Sequence, residues 1–169
     1  MSLRADSLRF AYPGGTEVLR GAGLALEPGR FSCLLGANGC GKSTLLRCLA
    51  GMLAPSSGQV DLDGLRLDGL PLRARAKRIG FLPQEVHPTF SYRVDEAVAL
   101  GAHVAGHGGW LGNGPDAQQA VDVALAAVDA TALRERTLQE LSGGERRRVL
   151  IAGVLAQEPD YLLLDEPAA

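Results

Sequence analysis

The chain has 169 residues, 46% of them hydrophobic and 21% charged, with a formal net charge of −2. That content suits one buried core with a small lobe attached, and it lacks the basic excess of domains that neutralise nucleic-acid phosphates, so no nucleic-acid partner is expected. No stretch approaches the roughly 20 apolar residues that span a bilayer, and a start with Arg4 and Asp6 flanking short apolar runs is no secretory signal, so the expectation is a cytosolic protein.

From about Leu3 to Leu35, alternating segments separated by Pro13-Gly14-Gly15 and Glu27-Pro28-Gly29 predict hairpin-like antiparallel strands, ending in a strand over Phe31 to Leu35. Gly36-Ala37-Asn38-Gly39-Cys40-Gly41-Lys42-Ser43-Thr44 follows and matches G-x-x-x-x-G-K-[ST]; it opens a helix with Leu45, Leu46, Leu49 and Leu53 at apolar spacing. Glycines at these positions let consecutive N–H groups turn inward around phosphate oxygens, and the helix N-terminus adds partial positive charge. Lys42 supplies a full charge to the β and γ phosphates, Ser43 is placed to ligate Mg²⁺, and Thr44 sits beside the α or β phosphate.

Gln59 to Leu62 alternates before the Asp63-Gly64 turn, Leu72 to Lys77 reads as a helix, and Ile79 to Pro83 as a buried strand presenting Gln84 at its end. From about Glu85 to Arg136 the pattern is helical. Arg93 to Leu100 is predicted as one helix and Gly101 to Pro115 as a glycine-rich loop around Trp110. Asp116 is then predicted to cap a helix with Val121, Ala124, Leu125 and Val128 at core spacing.

Ser142 with Glu145 three residues on is a capping box for a helix from Gly144 to about Gln157. A capping box does not require Leu141-Ser142-Gly143-Gly144; two glycines beside the cap expose a helix N-terminus that can close on a second phosphate. Arg146-Arg147-Arg148 in the first turns is either a solvated face or a set of side chains that orient nucleotide or dimer contacts. Tyr161 to Leu164 reads as an interior strand delivering Asp165 and Glu166 at its C-terminal end, where open α/β sheets place ligands. Asp165 can hold Mg²⁺, and Glu166 can polarise attacking water as general base.

Cys33, Cys40 and Cys48 lack metal-site spacing and are expected to be reduced thiols, Cys33 and Cys48 as small buried apolar residues and Cys40 within the phosphate loop. His87, His103 and His107 read as surface or loop histidines, with a weak metal possibility for the last two.

In this order the motifs resemble the ATP-binding cassette family over essentially the whole chain. Phe10-Ala11-Tyr12 resembles its aromatic A-loop, with Tyr12 stacked on adenine. Gly36 to Thr44 resembles Walker A, Phe81 to Gln84 the Q-loop, Leu141 to Glu145 the signature and Leu162 to Glu166 Walker B. The resemblance implies an α/β P-loop NTPase with a mostly parallel central sheet, an N-terminal antiparallel part and an inserted helical subdomain. The nucleotide-binding core would take residues 1–84 and 137–169, and the helical subdomain residues 85–136.

The resemblance also implies an ATPase using ATP and Mg²⁺. Gly36, Ala37, Asn38, Gly39, Cys40, Gly41, Lys42, Ser43 and Thr44 would hold nucleotide, with Ser43, Gln84 and Asp165 at the metal and Glu166 and Gln84 catalytic. Ser142, Gly143, Gly144 and Glu145 would contact ATP in trans within a head-to-tail homodimer. The helical subdomain and Q-loop would bind two copies of a membrane permease subunit at the cytoplasmic face of the inner membrane.

Arg75 to Gln84 and Val94 to Gly101 are similar to cassettes of iron-siderophore, haem and cobalamin importers. The alternative is a non-transport cassette: repair or chromosome maintenance is disfavoured by the compact interval between Thr44 and Leu141, and translation because factors of this family normally carry two cassettes in one chain. The chain stops just after Walker B, so a truncated cassette without D-loop and switch histidine is expected, one that binds nucleotide and hydrolyses it slowly.

Overall fold

A computed structural model describes residues 1–86, 91–107 and 114–166. His87, Trp110 and Pro167 to Ala169 lie outside the described residues. The chain forms two compact units, Met1–Arg75 and Ala76–Ala169.

In the first unit, strands β1 (Leu3–Ala11), β2 (Glu17–Leu26), β3 (Ser57–Leu62) and β4 (Leu65–Arg66) form an antiparallel sheet in the order β2-β1-β3-β4. β1 changes parity partway. Leu3 and Ala5 are buried from odd positions, whereas Leu8 and Phe10 are buried from even ones. The irregularity between Ala5 and Leu8 accounts for this, with Ser7 at φ 49°. Gly58 faces that bulge across the β1–β3 pair, where a Cβ would come within 2.4 Å of the Asp6 carbonyl oxygen. Helix α1 (Lys42–Leu49) buries Leu45, Cys48 and Leu49 in this unit and packs on β1 and β2, and helix α2 (Leu72–Arg78) begins at its end.

Phe31 to Leu35 departs from the sequence expectation. It is not a strand, and Phe31 and Leu35 are 95% and 84% exposed. No described strand pairs with it, and an extended segment without a ladder partner leaves its N–H and C=O groups to water. Cys33 is exposed with it, against the expected burial, whereas Cys48 is buried.

In the second unit, β5 (Ile79–Leu82) and β6 (Tyr161–Leu164) pair in parallel, Ile79 opposite Tyr161 through Leu82 opposite Leu164. Helices α3 (Val94–Ala105), α4 (Pro115–Ala127) and α5 (Gly143–Leu155) enclose a core that includes Val98, Ala102, Val121, Leu125, Val149 and Ala152. Two boundaries differ from the sequence reading. α3 runs through Gly101 to Ala105, because Gly101 lies against the α5 backbone and serves close packing rather than a loop. α4 starts from Gly114 as N-cap with Pro115 in the first turn, so Asp116 is inside the helix, where its charge still complements the dipole.

Candidate functional site

The phosphate loop is built by glycine geometry and by β2. Gly39 and Gly41 have φ of 77° and 100°, a region that costs other residues energy. Gly41 is also short of space, since a Cβ there would lie 3.1 Å from Leu19 Cδ2 and 3.2 Å from Val18 Cγ1. Gly36 to Cys40 are exposed, and the Cys40 N–H closes back on the Ala37 carbonyl at 3.3 Å. Lys42 at the start of α1 donates from Nζ to the carbonyls of Gly36 (2.8 Å) and Ala37 (2.9 Å), which sets its ammonium over the loop. The first turn of α1 carries no acidic side chain to offset its positive end. Ser43 is half-buried in that turn, and Thr44 is buried. Tyr12, just past the end of β1, shares a 3.3 Å hydroxyl contact with Thr44 and meets the Phe10 ring edge-on at 4.9 Å. Tyr12 is thereby tied to the phosphate helix while 40% exposed.

In the second unit the two strand ends come together. The Asp165 N–H bonds to the Leu82 carbonyl at 2.9 Å, one step beyond the β5–β6 ladder, and Asp165 is 3% exposed. Gln84, past the end of β5, donates from Nε2 to Glu166 Oε2 at 2.6 Å. Glu166 has φ 47°, left-handed backbone that is strained for a residue with a Cβ.

Ser142 is the N-cap of α5. Its Oγ accepts from the Glu145 N–H at 3.3 Å, while Glu145 Oε2 accepts from the Ser142 N–H (2.9 Å) and Oγ (2.6 Å). The Ser142 hydroxyl, then its N–H, with Arg136 and Arg148 adding positive charge, hold the Glu145 carboxyl below the usual glutamate range. Gly143 and Gly144 are exposed, and no described atom lies within 4 Å of where a Cβ would stand on either. Nothing in the described fold therefore requires glycine there, although glycine costs a helix about 1 kcal/mol relative to alanine.

Sequence reasoning left the three arginines open. Arg146 donates to the Leu138 (3.0 Å) and Leu141 (3.3 Å) carbonyls and Arg147 turns to the strand ends, while Arg148 is exposed. No sequence signal separates these three, because only the helical phase relative to β5 and β6 decides which one turns inward. Among the described residues no group of three His, Cys, Asp or Glu side chains is arranged to hold a metal. His103 lies exposed on α3, and His107 sits 3.2 Å from the Glu158 carboxylate. No described helix is long and apolar enough to cross a membrane.

The hemin import ATP-binding protein HmuV of Pseudomonas aeruginosa is 46% identical over 174 residues, covering 99% of this chain and 65% of that protein. HmuV of Pseudomonas entomophila is 44% identical, covering 92% of this chain and 61% of its own length. The cobalt import ATP-binding protein CbiO of Rhodobacter capsulatus is 40% identical, covering 99% and 59%. The chain thus spans about 60% of the length of the curated relatives it matches.

Among solved structures, cbiO1 from Clostridium perfringens, part of the ABC transporter complex cbiONQ, superposes with a TM-score of 0.81 at 34% identity, covering 99% of this chain and 66% of that one. The dimeric bacterial ABC transporter cassette MJ0796 superposes at 0.84 with 25% identity, covering 98% and 74%. The family model described as ABC transporter matches residues 19–169. With a match this long across loop, strand ends and capped helix alike, the chain belongs to the ABC transporter family.

Proposed function

We propose that the chain is the ATP-binding and hydrolysing part of an importer-type transporter ATPase. The observation that carries this reading is the phosphate loop. Two left-handed glycines, an uncompensated helix N-terminus and the Lys42 ammonium set over the loop make a cradle for a triphosphate. By donor chemistry, Ser43 on α1 would be a ligand for Mg²⁺, and so would Gln84 and Asp165 at the strand ends; the ion prefers oxygen ligands and would supply charge neutralisation to the phosphates. Lys42 binds phosphate charge, Tyr12 stacks on the base, and Glu166 takes a proton from water oriented with the help of Gln84. Ser142, Gly143, Gly144 and Glu145 present a bare, capped helix start to nucleotide on a second copy. Its open glycines support that role, since they leave room for a ligand to approach the backbone.

Residues 85–136 and the Q-loop are the face offered to two permease subunits, which would hold the protein at the cytoplasmic side of the membrane. The hemin and cobalt import names of the relatives favour import of a metal-containing cargo. The test is titration of the chain and of Lys42→Ala with MgATP, followed by phosphate release. Removing the charge-assisted phosphate contact is expected to weaken binding at least tenfold. Equal affinity of the two proteins would refute the assignment. Co-purification with a polytopic membrane protein tests the transport part.

A further inference from the structure

Arg147, in the second turn of α5, donates to four main-chain carbonyls. Nη1 reaches Pro83 O (2.7 Å) and Gln84 O (3.1 Å), and Nη2 reaches Asp165 O (2.8 Å) and Glu166 O (3.2 Å). These are the first two carbonyls beyond β5 and the first two beyond β6. The Asp165 N–H to Leu82 O bond is the last main-chain bond seen between the two exits, and past it both chains leave the sheet with acceptors facing one side. A planar guanidinium carries five donors in a fixed fork and can span two pairs of acceptors at once. A lysine ammonium is a single point, and a glutamine amide has two donors.

We propose that Arg147 is a positioning residue that fixes the exits of β5 and β6 so that the Gln84 and Glu166 side chains meet. Their 2.6 Å hydrogen bond joins residues whose own carbonyls are both held by the same guanidinium. The left-handed Glu166 backbone is held from the same side. Arg147 lies five residues beyond the cap Ser142, so the start of α5 and the two strand exits are tied through one side chain. A displacement of the signature turn would therefore be felt at Gln84 and Glu166. This inference rests on the ATPase reading for its catalytic consequence, though not for the tie itself.

The test compares Arg147→Met, which keeps the aliphatic stem, and Arg147→Lys with the parent chain. Amide hydrogen exchange at Gln84, Glu85, Asp165 and Glu166 is expected to rise at least about fivefold in Arg147→Met, with protection in β1 to β3 and in α3 and α4 unchanged. The kcat for ATP is expected to fall about tenfold or more while KM stays within about twofold, because misplacing groups at the reacting end costs rate more than binding. Arg147→Lys is expected to recover part of both effects. Unchanged exchange at the exits, or a kcat for Arg147→Met within about twofold of the parent, would overturn the proposal. Should the parent chain hydrolyse no ATP, the ATPase reading fails, and exchange at the two exits still decides the tie. Should Arg147→Met not fold, exchange in Arg147→Lys decides: local loosening at both exits supports the proposal, and parent-like protection refutes it.

Discussion

Gly101→Ala places a methyl group where α3 crosses α5. A Cβ at Gly101 would lie 1.8 Å from the Gly153 carbonyl oxygen, 3.0 Å from Gly153 C and 3.3 Å from the Gln157 nitrogen. Ordinary contact begins at 3.4 Å, so the deficit is 3.4 − 1.8 = 1.6 Å, and all of these neighbours are backbone that cannot rotate away. The two helices must separate. Val98 and Ala102 of α3 and Val149 and Ala152 of α5 are each at most 1% exposed at this crossing, and a gap of about 0.5–1 Å already forfeits a quarter to a half of each dispersion well. Overpacking of this kind costs about 1–3 kcal/mol and sometimes more, against about 1 kcal/mol regained from alanine's helix propensity. With backbone on both sides the upper part of that range applies, for a net loss of about 2 kcal/mol. At about 2–4 °C per kcal/mol for a chain this long, Tm falls by roughly 4–8 °C. Thermal melts by far-ultraviolet circular dichroism measure it, with Gly143→Ala as control, since no described atom crowds that position and α5 gains propensity there. An unchanged or raised Tm for Gly101→Ala would mean that the crossing has slack and that propensity outweighs packing.

Three further outcomes are expected. Tyr12→Ala should weaken adenine nucleotide binding by about 1–3 kcal/mol, or roughly five- to 150-fold, while Tyr12→Phe, which loses only the Thr44 contact, should stay within a few-fold; nucleotide titration checks both. In a Cys33→Ser background, a maleimide should label exposed Cys40 and be slowed by MgATP, because the Cys40 thiol lies against the start of the phosphate loop. Buried Cys48, its thiol pushed up by burial, should remain unlabelled, and equal rates with and without MgATP would remove Cys40 from the nucleotide site. Glu145 is held below its unfolded value of about 4.3, so its stabilising contribution is present above that value and is lost as pH falls through the lower folded value. Glu145→Gln should therefore lower Tm on the neutral plateau, where the ionised carboxylate stabilises the parent, and flatten the acid limb, so that the two proteins converge as pH falls through the lower folded value.

How far the sequence carries depends on whether a residue's reason is local or lies across the fold. Lys42, Ser142 with Glu145, and the β5 and β6 runs were legible because loop, cap and buried strand are written in adjacent residues. Phe31 to Leu35 carried a strand's composition and still is not one, since pairing depends on a neighbour that composition does not supply. Gly101 shows the converse. Read locally, a glycine after an apolar helix predicts a stop, yet here its missing side chain is what lets α3 continue past α5. Gly143 looks the same on paper and has open space around it among the described residues. The two glycines differ in what stands opposite them, one facing a backbone in its own unit and the other no described atom within 4 Å. The same logic separates Arg147 from Arg148, adjacent residues of identical chemistry. One helical step, about 100°, turns the first onto four carbonyls and leaves the second in solvent.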